Sequence, residues 1–197
     1  MKQLLTIVFA LYACLAYTQN APDAASLLSG IESRIKSYGD FRVHLDIDGS
    51  NSTLTVSSDK FHLESADAEV WYDGTTLWSC MMQSGEVYVT APTAEELMYI
   101  NPYALLKEWN RNFKATLGSK AAGYGKVTLT PRQSAEYESL DLYVDSAGDI
   151  RSLTVIYGGG DNSVITIKKL EKKVKTDSNM FIFDQNKYPD FNIVDLR

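Results

Sequence analysis

The sequence predicts a mainly β protein of the α+β class, built on one curled, unclosed antiparallel β-barrel. Three observations lead to this prediction. Apolar and polar residues alternate with a period of two from Phe41 onward, two-residue turn signals recur at short intervals, and helical spacing interrupts the strands once, between Thr93 and Asn112. A single sheet of about 10–11 strands curls because twist accumulates from strand to strand. Helices should then cover its concave face.

Residues 1–18 are predicted to be a secretory signal peptide. One early lysine precedes an apolar run, Leu4–Leu15, which small and polar residues follow. The run is shorter than the roughly 20 residues of a membrane-spanning helix. We therefore expect export, cleavage between Thr18 and Gln19, and a single domain over residues 19–197.

Lipid anchoring at Cys14 is an alternative to simple cleavage. The phrase "LYAC" places a small residue before this cysteine near the end of the apolar run, as in the acylation site of bacterial lipoproteins. If Cys14 leaves with the signal, Cys80 is the single cysteine of the mature chain, and an internal disulfide is excluded. Its apolar neighbours predict that Cys80 is a buried small hydrophobe rather than a catalytic thiol.

An amphipathic helix is predicted over Asp23–Tyr38, with Asp23 as its N-cap and Gly39 as its stop. The first strand follows at "FRVHLDID", where the period changes to two. Hairpin turns at "DGSN", "DG" and "SG" separate the next strands. These are Thr53–Ser57, Lys60–Ser65, Ala68–Asp73, Leu77–Met82 and Glu86–Thr90.

The helical interruption is predicted to form two short helices. Thr93 and Glu96 fit a capping box, and Pro102 splits the apolar pattern. Residues 181–197 should hold a loop and an edge strand. Between the helical interruption and residues 181–197, five strands are predicted: Phe113–Leu117, Tyr124–Pro131, Glu136–Val144, Ile150–Tyr157 and Ser163–Leu170.

The segment Glu69–Thr90 carries large apolar side chains on both faces of its strands, among them Trp71, Tyr72 and Trp78. A one-faced antiparallel sheet alternates more cleanly. We expect the second apolar face to line the inside of the curled sheet. There the helices either fill the hollow as a core or leave a pocket for an apolar ligand.

Composition and motifs exclude several functions. The net charge of −6 argues against nucleic-acid binding, which needs a basic surface. The two histidines, His44 and His62, lie on separate strands without a ligand-spaced partner, so no metal site is expected. The sequence has no nucleophile elbow, phosphate-binding glycine loop or dinucleotide fingerprint. We therefore expect no catalytic residue, no cofactor and no enzymatic activity.

Several phrases resemble the LolA family, the periplasmic carriers of outer-membrane lipoproteins. The resemblance spans almost all of the predicted mature chain, and its most specific part is the strand phrase with Asp73-Gly74 and Trp78. The matching phrases are "KFHLE", "WYDGTTLWSCMMQSGEVYVT", "INPYALL", "VTLTP" and "FIFDQNKYPDFNIVDLR".

The resemblance implies an unclosed antiparallel barrel whose hollow is covered by a helical lid. It implies a monomeric periplasmic carrier that shields the acyl chains of lipoproteins. Such a carrier accepts lipoproteins from an inner-membrane releasing complex and passes them to an outer-membrane acceptor. Two alternatives remain open: an acceptor or general lipid-binding module of the same fold anchored through Cys14, and a domain whose helices fill the hollow.

Strand parity and the implied lid define the candidate site. Better-known members of the family carry an Arg-Pro pair just before the position of Phe61, whose arginine tethers the lid. This sequence reads "VSSDKF" there, and leaves Lys60 or Arg42 as possible substitutes. The predicted lining is Phe41, Val43, Leu45, Ile47, Leu54, Val56, Phe61, Leu63, Trp71 and Trp78, and the predicted lid residues are Leu97, Ile100, Leu105 and Leu106.

Overall fold

The computed structural model describes residues 23–119 and 125–197. The predicted signal peptide, its cleavage site and Cys14 lie outside these residues. Within the described part of the chain, every helix is too short or too polar to cross a membrane.

Helix α1 (Ala24–Lys36) begins at the predicted cap. The Asp23 carboxylate accepts a hydrogen bond of 2.7 Å from the Ser26 N–H, and this bond lowers the pKa of Asp23. Leu28 and Ile31 are buried on one face of the helix. The chain leaves it through Gly39, whose φ of +65° is a left-handed conformation that favours glycine.

All twelve strands in the described residues belong to one sheet, one more than the upper end of the predicted range. From one edge to the other the order is β12-β6-β5-β4-β3-β2-β1-β11-β10-β9-β8-β7. Because β12 and β7 lie at opposite edges, the barrel is unclosed, as predicted. The strands are β1 (Phe41–Ile47), β2 (Ser50–Ser57), β3 (Lys60–Ser65), β4 (Ala68–Tyr72), β5 (Leu77–Met81), β6 (Glu86–Thr90), β7 (Phe113–Leu117), β8 (Gly125–Pro131), β9 (Ser139–Val144), β10 (Ile150–Ile156), β11 (Asn162–Lys172) and β12 (Asn192–Asp195).

Apart from the edge strand β12, two meanders make up this sheet, β1 to β6 and β7 to β11, and the pairing of β1 with β11 joins them. Phe41 lies opposite Lys172 and Ile47 opposite Ile165, with an irregularity in the register between His44 and Leu45. All pairings are antiparallel except that of β12 with β6. The predicted edge strand therefore exists, and it runs parallel to its neighbour.

The helical interruption forms α2 (Ala94–Ile100) and α3 (Pro102–Asn112), divided where the sequence predicts. Thr93 and Glu96 form the capping box. Leu105, Leu106 and Trp109 of α3 pack with α1 and with β8 and β9 in one buried cluster. All three helices thus contact the same side of the sheet, which we call the inner face.

The opposite side, which we call the outer face, is covered in part by residues 177–191, the C-terminal segment. This segment contains two 3-10 turns, Ser178–Phe181 and Gln185–Lys187. Its aromatic residues pack around Trp71, with ring centroids 5.4 Å away for Phe183 and 5.8 Å away for Tyr188. The second apolar face of Glu69–Thr90 therefore contacts the end of the chain rather than the inside of the barrel.

Candidate functional site

An apolar cavity of about 200 Å³ lies between the helices and the inner face. Its walls come from α1, α2 and α3 and from strands of both meanders, because the curled sheet brings β1 to β3 opposite β9 to β11. Among the described residues that line it, all have apolar side chains except Tyr38 and Asp149. The cavity can exclude water from an apolar ligand.

Most of the residues predicted to line the hollow lie on the inner face. Val56 and Phe61 are almost fully buried in the adjoining cluster and do not contact the cavity. Those that line the cavity directly are Phe41, Val43, Leu45, Ile47, Leu54 and Leu63.

The placement of Trp71 and Trp78 in the hollow is corrected by the structure. Phe61 pairs with Tyr72 across β3 and β4, so Tyr72 shares the inner face. Trp71 and Trp78 are cross-strand partners on the outer face, in the cluster around the buried Cys80. A shift of one residue reverses the face of every side chain in a strand. In β4 and β5 the residues on both faces are large and apolar, so strand parity does not show which face points inward.

The predicted lid residues also differ in whether they line the cavity. Leu105 and Leu106 line the cavity, and Leu97 packs against the inner-face cluster. The side chain of Ile100 lies outside the described part of the structure. Met98 also lines the cavity and was not predicted. Its position next to Leu97 gave no signal, because neighbouring residues of a helix point in different directions.

The far wall of the cavity was missed at the sequence level. The β1–β11 pairing places the strand part of this wall beside Phe41 and Val43. Strand parity could not identify all of its residues, because some of them lie on either side of register irregularities in β10 and β11. The residues of the far wall are Ile31 and Ile35 of α1 with Leu142, Ile150, Leu153, Ile165, Ile167 and Leu170 of β9 to β11.

The cavity has one polar end, formed by Tyr38 and Asp149. The Tyr38 hydroxyl donates a hydrogen bond of 2.7 Å to the Asp149 Oδ1, and Arg34 lies 3.7 Å from the same oxygen. Burial and this hydrogen bond raise the pKa of Tyr38. Tyr38 is therefore a neutral donor at physiological pH.

Arg42 does not replace the missing lid tether. It lies on the outer face, where its Nε donates a hydrogen bond of 3.1 Å to Thr55. The helices are on the other side of the sheet. Lys60 lies at the start of β3 and acts electrostatically on Asp73, at the turn after β4, where it helps to lower the pKa of that carboxyl.

A polar groove of about 1010 Å³ runs between the outer face and the C-terminal segment. At one side of it His62 Nε2 lies 2.7 Å from Glu69 Oε1, and the Tyr188 hydroxyl donates to the other oxygen of Glu69. Burial acts to raise the pKa of Glu69, but the hydrogen bonds from His62 and Tyr188 outweigh it and leave the pKa lowered. Burial raises the pKa of the Cys80 thiol, which argues against a reactive thiolate.

Residues 16–156 match the model of a family described as outer membrane lipoprotein carrier protein LolA. No curated protein is similar enough in sequence to count as a relative. An uncharacterized conserved protein from Thermus thermophilus shares the fold, with a TM-score of 0.57 and 8% identity over 85% of this chain and 98% of its own.

Two further solved structures are more distant. A LolA superfamily protein from Nitrosomonas europaea matches 83% of this chain and 99% of its own, with a TM-score of 0.47 and 12% identity. A DUF1329 family protein from Desulfovibrio piger matches 84% and 99% of the two chains, with a TM-score of 0.40 and 11% identity.

Proposed function

This chain belongs to the LolA family of outer membrane lipoprotein carrier proteins, and we propose that it carries the acyl chains of lipoproteins in its inner cavity. The observation that carries the proposal is the cavity itself, which is apolar on all sides but one and bounded by both meanders and by three helices. We place the protein in the periplasm as a monomer, after removal of residues 1–18, with residues 19–197 as its single domain.

The energetics of acyl chains explain the need for such a carrier. Each buried methylene contributes about 0.8 kcal/mol, so a single chain holds a protein on a membrane only reversibly, whereas two or more chains hold it firmly. An apolar cavity replaces the membrane for the same chains. Transfer from an inner-membrane releasing complex to an outer-membrane acceptor then requires only successive differences in affinity, without a covalent step.

The size of the cavity bears on how it is loaded. Its volume of about 200 Å³ is below the roughly 300–1,000 Å³ typical of small-molecule pockets. A long acyl chain therefore enters only if α2 and α3 move away from the inner face. Leu105 and Leu106 would exchange their contacts with the sheet for contacts with the ligand, so empty and loaded forms both bury apolar surface.

Binding of a fluorescent triacylated lipopeptide tests the proposal. Ile165 lines the cavity and its neighbour Val164 lies on the opposite face of β11 with 38% of its surface exposed, so the two positions form a matched pair. We expect Ile165→Gln to weaken lipopeptide binding at least about tenfold through the cost of an unpaired amide in an apolar site. Val164→Gln should bind like the parent. Equal affinities of the two variants would refute carriage in this cavity.

A second candidate is an acceptor held on a membrane through an acylated Cys14. The phrase "LYAC" is the observation in its favour. Intact mass spectrometry of the protein exported by its own host separates the two. A chain beginning at Gln19 supports the shuttle, and an acylated Cys14 supports the anchored acceptor.

A further inference from the structure

We propose that the outer face carries a divalent-metal site of the zinc class, formed by His62, Glu64 and Glu69. These residues lie on β3 and β4, on the side of the sheet away from the apolar cavity. The inference therefore does not depend on acyl-chain binding. It also corrects the expectation that neither histidine has a partner at ligand distance.

The register of β3 and β4 brings the three side chains together. His62 and Glu64 are two positions apart on one strand and so share a face. Glu64 pairs directly with Glu69 on the neighbouring strand. Two carboxylates in direct cross-strand opposition repel each other, and a bound cation would turn this repulsion into attraction.

The distances bring the three ligands near enough for a small cation once the side chains adjust. One ligand atom from each residue lies within 4.8 Å of the other two. His62 Nε2 lies 2.7 Å from Glu69 Oε1, and His62 Nδ1 lies 4.0 Å from Glu64 Oε2, so an ion bound through one ring nitrogen requires a shift of the carboxylate nearer the other. Ligands on a tetrahedral zinc ion, at about 2.0–2.2 Å from the metal, are separated by about 3.3–3.6 Å. The Glu64 side chain is 55% exposed and is free to swing inward.

Two further side chains hold the ligands in place. The Tyr188 hydroxyl donates to the second oxygen of Glu69, and the Trp71 ring stacks on the imidazole of His62 with centroids 5.3 Å apart. Outer contacts of this kind fix the orientation of metal ligands and strengthen binding. The exposed fractions of the His62 and Glu69 side chains are only 11% and 19%, so both are held in a partly dehydrated setting.

The polar groove provides access and room for additional ligands. His62 and Glu64 line it, so an ion can enter from solvent and keep a water molecule as a fourth ligand. One imidazole nitrogen with two carboxylate oxygens suits zinc, whereas calcium and magnesium prefer oxygen ligands alone. Since Tyr188 belongs to the C-terminal segment, a bound ion would also strengthen the attachment of that segment to the outer face.

Titration of the untagged mature chain with Zn²⁺ in competition with a chromophoric chelator tests the site. We expect one saturable site per chain. We expect Glu64→Gln and His62→Gln each to weaken it more than about tenfold, and Tyr188→Phe to weaken it by about 10–100-fold. His44→Gln is the matched control, since His44 lines the same groove beside a different carboxylate, Glu171, at 3.2 Å.

A second readout separates metal binding from misfolding. Co²⁺ bound to the parent should give the visible absorption of a tetrahedral site. This absorption should be lost in Glu64→Gln. Because Glu64 is exposed, we expect the circular dichroism spectrum of this variant to match that of the parent. The proposal is overturned if the parent shows no saturable Zn²⁺ binding. It is equally overturned if His44→Gln weakens binding as much as His62→Gln, or if Mg²⁺ displaces Zn²⁺ at equal concentration.

Discussion

Tyr38 and Asp149 lie far apart in the sequence, yet the Tyr38 hydroxyl donates a hydrogen bond of 2.7 Å to the Asp149 carboxylate. The bond ties the end of α1 to the turn between β9 and β10. It also closes one end of the apolar cavity, which both residues line. Helix α1 and the meander that contains β9 and β10 are therefore connected by a specific polar contact in addition to apolar packing.

Removal of this hydrogen bond should destabilise the fold. Tyr38→Phe keeps the ring and its edge-on contact with Phe41 but leaves Asp149 without its phenol donor. We expect the free energy of unfolding to fall by about 1–2 kcal/mol in urea denaturation. Tyr157→Phe, at an exposed position, should change it by less than about 0.5 kcal/mol. Identical denaturation midpoints for the Tyr38 variant and the parent would contradict the prediction.

The packing of α3 over the cavity gives a second prediction. Leu106 is almost fully buried and borders the cavity, so Leu106→Ala should lower the free energy of unfolding by about 2–5 kcal/mol. Leu117→Ala removes the same atoms from a side chain that is 46% exposed and should cost far less. Thermal unfolding of the two variants side by side provides the measurement. Comparable losses would mean that α3 is not packed against the inner face in solution.

The C-terminal segment should protect the outer face through its aromatic residues. Phe183 packs edge-on against Trp71 and stacks on Tyr188 at a centroid distance of 5.6 Å. We expect Phe183→Ala to cost about 1–3 kcal/mol and to increase quenching of tryptophan fluorescence by acrylamide. The neighbouring Ile182 is exposed, and Ile182→Ala serves as the control. Unchanged quenching in Phe183→Ala would show that the segment does not cover Trp71.

The turn after β4 predicts a specific dependence of stability on pH. Burial acts to raise the pKa of Asp73, but hydrogen bonds from the N–H groups of Thr76 and Thr75 outweigh it and leave the pKa lowered. A lowered folded-state pKa stabilises the fold above the unfolded value of about 3.9, and this contribution disappears as pH falls through the folded pKa.

Asp73→Asn removes the charge and tests this dependence. We expect the parent to exceed the variant in stability by a constant amount above about pH 5, with the difference shrinking at lower pH. Urea denaturation at several pH values measures it. A difference that does not change between pH 7 and pH 3 would rule out the Asp73 carboxylate as its source.

Local patterns predicted most of the fold because the signals lie within single elements. Asp23 capped α1, Thr93 and Glu96 capped α2, and short turn signals separated the strands. The face of β4 and β5 could not be predicted, because Trp71 and Tyr72 are both large and apolar. Only the C-terminal segment, more than a hundred residues later, decides which of them is outside.

The two histidines illustrate a different limit. His62 and Glu64 share a face by strand parity, and the short turn before β4 places Glu69 opposite Glu64. This cluster could have been derived from hairpin register. Ligand spacing within a single strand does not reveal it, because Glu69 lies on the neighbouring strand. The far wall of the cavity, by contrast, depends on the pairing of β1 with β11, which no local signal specifies.

That pairing also sets the order in which the molecule can assemble. Each meander is made of hairpins whose strands are close in sequence. By contrast, Phe41 pairs with Lys172, which lies about 130 positions later along the chain. Loop closure over such a distance is slow compared with hairpin formation. The two meanders should therefore form early and join last, and the apolar cavity comes into existence only at that final step. Until then the residues of its two walls are exposed to solvent, which makes this interval the period of greatest risk of aggregation.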